Sequence, residues 1–480
     1  MGKAVRAVNV TLGGGGASCT LVLFYFVYHY NWIRDRVFTS PTGITLYEVF
    51  PAVLAALLLA SLRLRPSHKI KLALLLFSTG VSIYIVELSL RLSNATPGFE
   101  LSPKSTIEMQ QIAKAFGVDF DTRRRSEVIM DLRKKGIDAL PATVPQWLLK
   151  QQPDGSQRSE ISINGREVLP LGGVSNRVTV LTNEIGEYAI YESDEHGFHN
   201  PKGIWDSGRI AIAALGDSFT QGYSVPSDKN FVALIRKCYP ATLNLGGGGN
   251  GPLLELATLK EYAGYVEPQV VLWFYCEDND LKDLNKEKRS LLLMRYITGS
   301  FQQGLFSQQV NIDNALAYYI ETAENTRELS ESESRHFKNR LIRSLDETIK
   351  LPMLRDRLGL VYGQVYEEYV QSQITEEEMD LFRNILLQAK AFVSAWGGRL
   401  YFVYLPSWIR YGKPELAEKN RDRVLAIVKT IGLPVIDLHS AFQVQGDPLA
   451  LFPFRLHAHY TVEGNRLVAE ETLRSISLGN

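Results

Sequence analysis

The amino-acid sequence predicts an α/β protein, a three-layer α/β/α arrangement around a parallel sheet, preceded by three N-terminal transmembrane helices. Three observations carry this. Three apolar stretches fill most of the first hundred residues. From Arg209 onward, short apolar runs alternate with helical stretches, as in a parallel sheet covered on both faces. Several of those runs end in loops that carry glycine or reactive side chains.

The chain has 480 residues, enough for two or three domains. Lysine plus arginine and aspartate plus glutamate number 52 each, so charge gives no reason to expect a nucleic-acid partner. Cys19, Cys238 and Cys276 are far apart and lie in or beside apolar runs. Their spacing suits neither a disulfide framework nor a metal knuckle and reads as small buried hydrophobes.

The membrane region is read over 1–93, with spans at about 12–30, 47–62 and 72–92. A bilayer core of about 30 Å needs roughly 20 apolar helical residues, which makes the second span marginal. Tyr25, Tyr28, Tyr30 and Trp32 close the first span like an interfacial aromatic belt. Glu87 in the third would face neighbouring helices or the interface. Lys3 and Arg6 precede the first span, and Arg63, Arg65, Lys69 and Lys71 separate the second from the third. Arg34 and Arg36 between the first two are offset by Asp35. The positive-inside rule then leaves everything after about Ser93 outside the cytoplasm.

Residues 94–208 read as an α+β prelude. Helical spacing occupies 106–116 and 126–135, the latter with Ser126 as its N-cap. Alternation over 160–171 and 177–191 predicts antiparallel strands. Glu192-Ser193-Asp194-Glu195-His196-Gly197-Phe198-His199-Asn200-Pro201 closes the prelude. Two histidines with no carboxylate at ligand spacing make His196 and His199 structural, or part of a site's rim, rather than metal ligands.

Residues 209–480 carry the sheet, with strands expected at 210–214, 242–245, 270–274, 400–405 and 435–436. A helical, charge-rich insertion runs over about 285–373. Thr375-Glu376-Glu377-Glu378 reads as a capping box that reopens the α/β pattern.

Four blocks in this region bear chemistry. Gly216-Asp217-Ser218-Phe219-Thr220-Gln221-Gly222 follows the first strand and leads into a helix, the junction at which an α/β protein exposes a nucleophile. Asn244-Leu245-Gly246-Gly247-Gly248-Gly249-Asn250-Gly251 follows the second strand. Glu277-Asp278-Asn279-Asp280-Leu281 follows the third, and Leu456-His457-Ala458-His459-Tyr460-Thr461-Val462-Glu463-Gly464 precedes the last helix. In this order they resemble the four blocks of the SGNH, or GDSL, hydrolases, and specifically a membrane-anchored bacterial member. The segment before Pro201 is similar to an Asp-x-x-Gly-Phe-Arg-Asn-Pro stretch of membrane-linked members.

The resemblance implies a flavodoxin-like fold and a serine esterase with no cofactor. Ser218 takes the place of the nucleophile and His459 that of the base. The N–H groups of Ser218 and Gly249 and the amide of Asn279 take the oxyanion hole, with Gly248 and Gly251 as alternatives to Gly249. Asp217 and His457 stand beside them as supporting residues. Two departures matter. Asp278 stands where relatives have glycine, and a carboxylate there disfavours an oxyanion unless it points away or pairs. The usual acid, two or three residues before the histidine, is replaced by His457 and Leu456. Asp437 and Asp447 are candidate stand-ins for orienting His459, and a Ser218–His459 dyad is the alternative.

The expected function is a membrane-anchored, extracytoplasmic esterase acting on acyl groups, acetyl above all, of envelope glycans or lipids. The setting is a multi-pass protein of the bacterial inner membrane with its catalytic domain in the periplasm. Two alternatives stay open: an acyltransferase of the same fold, or a weakened domain that binds or assembles within envelope-polysaccharide machinery.

Overall fold

The computed structural model describes residues 2–28, 49–92, 106–334, 374–414, 417 and 420–476. The Tyr30–Trp32 end of the first expected span, Arg34 to Arg36, Ser93 and positions 335–373 of the expected insertion lie outside these residues. The chain divides into two compact units, 1–100 with 332–373, and 101–331 with 374–480.

In the first unit, a helix over Gly2–Tyr28 precedes helices Phe50–Ser61 and Pro66–Leu92. Glycines let the first two approach closely: a Cβ on Gly16 would lie 2.8 Å from Leu59 Cδ2, and one on Gly15 would lie 3.4 Å from Leu58 Cδ1. Among the described residues one helix is long and apolar enough to cross a membrane, Pro66–Ser89, with 24 residues. Three spans are therefore not established. Phe50–Ser61 is apolar but, at 12 residues, covers only about 18 Å at the helical rise, short of a bilayer core.

In the second unit the prelude and the sheet pack together. Helices Thr106–Ala115 and Arg125–Lys134 lead into β1 (Ala139–Pro141), which pairs parallel to β6 (Val178–Asn183). The second helix has Arg124, and not Ser126, as its N-cap, and the Glu127 side chain accepts from the Arg124 N–H at 2.7 Å. Two small antiparallel pairs intervene, β2 (Leu149–Gln151) with β3 (Gln157–Ser159) and β4 (Ser162–Ile163) with β5 (Arg166–Glu167). β6 then turns back into β7 (Tyr188–Glu192), antiparallel and with an irregularity between Val180 and Asn183.

The main sheet has five parallel strands, β8 (Ile212–Leu215), β9 (Thr242–Asn244), β10 (Val270–Cys276), β11 (Arg399–Leu405) and β12 (Val435–Asp437), in the order β12-β11-β10-β8-β9. All five fall where the apolar runs predicted them. Central β10 is buried along its whole length, which is why its sequence is a continuous apolar run. Helices 231–238, 438–444 and 462–475 cover one face, and helices 252–258, 280–287, 376–395 and 421–431 the other. Thr375 and Glu378 form the expected capping box, Glu378 accepting from the Thr375 N–H at 2.8 Å. Cys276 is buried in β10, but Cys238, at the end of an amphipathic helix, is exposed.

Candidate active site

The strand order reverses between β8 and β10, and the loops at the carboxyl ends of these strands meet there, where open parallel sheets bind ligands. β8 runs into Gly216, where a Cβ would lie 2.2 Å from Thr220 Oγ1, so only glycine allows the turn. Asp217 then caps the short helix Ser218–Gln221 and accepts from the Phe219 N–H at 2.9 Å. Ser218 is its first residue, half-exposed, and its Oγ lies 2.8 Å from His459 Nε2.

His459 sits just before the last helix, which Thr461 caps by accepting from the Gly464 N–H at 3.2 Å. The next residue, Tyr460, is buried and donates to the Pro406 carbonyl at 2.7 Å, which fixes the backbone. Phe219 and Tyr223 pack against the imidazole at 4.6 and 5.3 Å between centroids.

The carboxylate that meets His459 comes from outside the four blocks. Glu184 follows β6, and its Oε1 lies 2.8 Å from His459 Nδ1, while its Oε2 accepts from the His459 N–H at 2.9 Å. The turn that presents it is braced on both sides. Asn183 Oδ1 accepts from the Gly186 N–H at 2.9 Å, and Asn183 Nδ2 donates to the Asp121 carbonyl at 2.9 Å. The carbonyl of Gly186 (φ +114°) accepts from the Asp121 N–H at 2.8 Å, and a Cβ there would strike Asp119.

Asp437 is therefore not the partner of His459. It ends edge strand β12, pairs with Arg421 and caps helix Leu438–Val444 by accepting from the His439 N–H at 3.1 Å. Asp447 is paired with Arg455, at 3.0 Å for one of the two contacts.

The glycine loop separates its candidates by what their N–H groups already do. Gly248 donates to Gln221 Oε1 at 2.7 Å and Gly251 to Glu287 Oε1 at 2.6 Å. No described residue accepts from the Gly249 N–H, nor from that of Ser218, which leaves both for an oxyanion. Gly249 holds φ +70°, and a Cβ there would come within 3.1 Å of Val144 Cγ1 from the prelude.

Asn279 differs from its expected role. Its Nδ2 donates to Asp217 Oδ2 at 3.1 Å and to Asp283 Oδ2 at 3.0 Å, so both of its amide hydrogens are engaged. Its buried Oδ1 has no partner among the described residues.

Electrostatics follow from this arrangement. Burial pushes the Glu184 carboxyl up, but the charge of His459 and its two hydrogen bonds outweigh burial and hold it below the ordinary value. Burial likewise opposes protonation of His459, yet Glu184, with smaller help from Asp217 and Asp278, raises it above the usual histidine value. Asp217 is pushed up to about 6 by burial. Behind it Glu287 is pushed up to about 8, and Glu255 and Asp280 well above the carboxylate range, again by burial first.

His199 is tied at both nitrogens, 2.7 Å from the Gln221 carbonyl and 2.6 Å from Ser227 Oγ, and stacks on Tyr191 at 3.9 Å. His196 stacks on Phe306 at 4.1 Å. The segment they flank does positional work: Asp194 Oδ1 accepts from the His196 and Phe198 N–H groups, both at 2.9 Å. Asn200 clamps the backbone of Asn244, at 2.7 Å to its N–H and 2.9 Å to its carbonyl, at the root of the glycine loop.

No family model and no curated protein matches this sequence. Among solved structures, a lipolytic protein of the G-D-S-L family from Veillonella parvula DSM 2008 is similar at 13% identity and a TM-score of 0.30, over 55% of this chain and 96% of that one. The acetyl xylan esterase AlAXEase is similar at 12% identity and 0.31, over 56% and 100%. A two-domain esterase active on acetylated mannans is similar at 14% and 0.30, over 56% and 50%.

Proposed function

We propose that the chain is a serine esterase of the SGNH type, with Ser218 as nucleophile, His459 as base and Glu184 as the acid that orients it. The observation that carries this reading is the continuous chain Ser218 Oγ–His459 Nε2–Glu184, with both contacts to the ring at 2.8 Å. As Ser218 Oγ bonds to the ester carbonyl carbon, its proton passes to His459 Nε2 and the carbonyl π pair moves to oxygen. The tetrahedral oxyanion falls to the N–H groups of Ser218 and Gly249. His459 then gives its proton to the departing alkoxide, and water repeats the sequence to free the acid. Asn279 serves this site chiefly by bridging Asp217 and Asp283; to reach an oxyanion its amide must leave one of them.

The alternative of a catalytically weakened binding domain has three grounds: the missing acid, Asp278 and the helical insertion over about 285–373. The contact of Glu184 with His459 speaks against the first. The finer reading remains ours: an anchor of three spans, a site outside the cytoplasm, and acyl groups of envelope glycans, acetyl first, as substrate. It is supported by the basic residues flanking the apolar stretches and by the block resemblance to membrane-linked members. Transfer to a sugar hydroxyl instead of water would use the same groups.

The test is labelling of the full chain by a fluorophosphonate probe, with Ser218→Ala as control. Labelling of the parent alone is expected; equal labelling of both, or of neither, sinks the catalytic reading. A periplasmic reporter joined after Ser93 should be active, and silence there would reverse the orientation.

A further inference from the structure

The last residue of the nucleophile's short helix ties that helix to the glycine loop. Gln221 ends helix Ser218–Gln221 and is buried. Its side-chain amide has one orientation, because the Gly248 N–H can only donate and so must face oxygen. Oε1 therefore accepts from the Gly248 N–H at 2.7 Å, and Nε2 donates to Tyr191 Oη at 3.1 Å. Tyr191 lies on β7 and stacks on His199, whose Nδ1 lies 2.7 Å from the Gln221 carbonyl. The prelude thus grips Gln221 by its main chain and by its amide.

The Gly248 N–H lies at the tightest part of the loop. The Asn250 N–H donates to the Gly247 carbonyl at 3.1 Å, closing a β-turn with Gly248 and Gly249 at its corners. Gly249 holds φ +70°, as the second corner of a type II turn requires. Its N–H belongs to the central peptide of that turn, so the aim of the N–H depends on where the turn is held. The loop's root is tied separately: Asn244 Nδ2 donates to the Thr220 carbonyl at 2.7 Å, and the Gly247 N–H to the Gly216 carbonyl at 3.1 Å. Gln221 supplies the tie at the corner itself. Two donors serve one oxyanion only if both lie about 2.7–3.1 Å from the same oxygen, and a displacement of about 1 Å can cost about 10²-fold.

We infer that Gln221 is a positioning residue: it fixes the turn that presents the Gly249 N–H to the helix that presents the Ser218 N–H, with Tyr191 holding its amide in place. This rests on the esterase reading above. The ester carbonyl oxygen is neutral before attack and charged after it, so misaimed donors lower kcat and leave KM nearly alone.

The experiment is hydrolysis of 4-nitrophenyl acetate by the full chain, on the high-pH plateau, for the parent, Gln221→Met, Gly249→Ala and the double variant. Methionine keeps the side chain's length and removes both hydrogen bonds. We expect kcat about tenfold lower in Gln221→Met with KM within about twofold, and less than about twofold further loss when it is added to Gly249→Ala. A glutamine that acted by placing Ser218 would lower kcat by the same factor in both backgrounds. Should Gln221→Met not fold, Tyr191→Phe removes only the oxygen that holds the amide, and a few-fold loss that vanishes in the Gly249→Ala background decides in its place. Unchanged kcat, a loss seen in KM, or full loss in the Gly249→Ala background overturns the inference while leaving Ser218 labelling intact. No turnover and no fluorophosphonate labelling in the parent overturns the esterase reading and this inference with it.

Discussion

Two regions build one site, and they were not equally legible. The parallel sheet carries Ser218, Gly249, Asn279 and His459 at the ends of buried strands or just before the last helix, and each sits in a short block with its own character. The prelude carries Glu184, a single glutamate in a hairpin turn that joins His459 across 275 positions. What separates the two is how function is encoded. A nucleophile elbow and a glycine loop need several specific neighbours to exist, so they leave a local trace. An orienting carboxylate needs only to be delivered, and any braced turn will do.

That contrast is most sharply broken by exchanging the acids. Glu184→Gln should keep the fold and lower kcat by about 10³–10⁴, the scale seen when a triad acid is neutralised in a serine protease. Asp437→Ala, by contrast, removes a helix cap and a partner of Arg421, so it should reduce stability by about 1 kcal/mol and leave kcat within about twofold. The reverse pattern in steady-state kinetics and thermal melts would return the acid's role to the sheet.

Next in size is the oxyanion loop. Gly249→Ala forces a side chain into a left-handed backbone and against Val144, and should cost kcat about 10²-fold with little change in KM. A kcat that stays within about twofold in Gly249→Ala would argue against this choice of donor.

The pH profile gives a smaller but directional effect. His459 must be neutral to accept the serine proton, and Glu184 raises its pKa, so kcat/KM should rise with pH through a midpoint above the ordinary histidine value. In Glu184→Gln the main raising cause is gone while burial still favours the neutral ring. The residual activity should then rise at lower pH than in the parent, and a midpoint that stays put would mean that another group sets it.

The smallest effect probes how the prelude steadies the histidine loop. Phe116 packs on Phe454 at 5.7 Å and Phe120 at 6.5 Å, and Phe454 and Arg455 both adopt positive φ, +52° and +61°, just before His457. Phe116→Ala should cost about 1 kcal/mol of stability and lower kcat only a few-fold. A loss as large as that of Glu184→Gln would make the clamp, and not the carboxylate, the prelude's main contribution.

Much of the fold was readable because buried parallel strands are continuous apolar runs, and all five stood out. The glycine loop was readable as a loop, but not which glycine was free, because that depends on Gln221 and Glu287 reaching in from elsewhere. Asp278 read as a defect for the same reason: His457, which it meets at 2.8 Å, lies on another loop. Asp437 drew attention as a carboxylate at a strand end, yet β12 is the sheet's edge and its end serves Arg421 and a helix cap. Glu184 left no signal, because it falls inside 177–191, read as one alternating stretch, where the structure has two strands and the turn between them. The membrane region marks the opposite limit, since apolar composition proposed three spans where one helix among the described residues is both long and apolar enough.

The position of Glu184 also bears on where this protein can be cut. A fragment begun at Arg209 would keep the sequence of every recognisable block and of all five strands, and would discard Glu184 together with Asn200 and the prelude's share of the core. Such a fragment would test as a feeble enzyme and invite the label of a degenerate relative. The deficiency would belong to the scissors, because the smallest piece that carries the complete relay begins upstream of the hairpin, not at the first strand of the sheet.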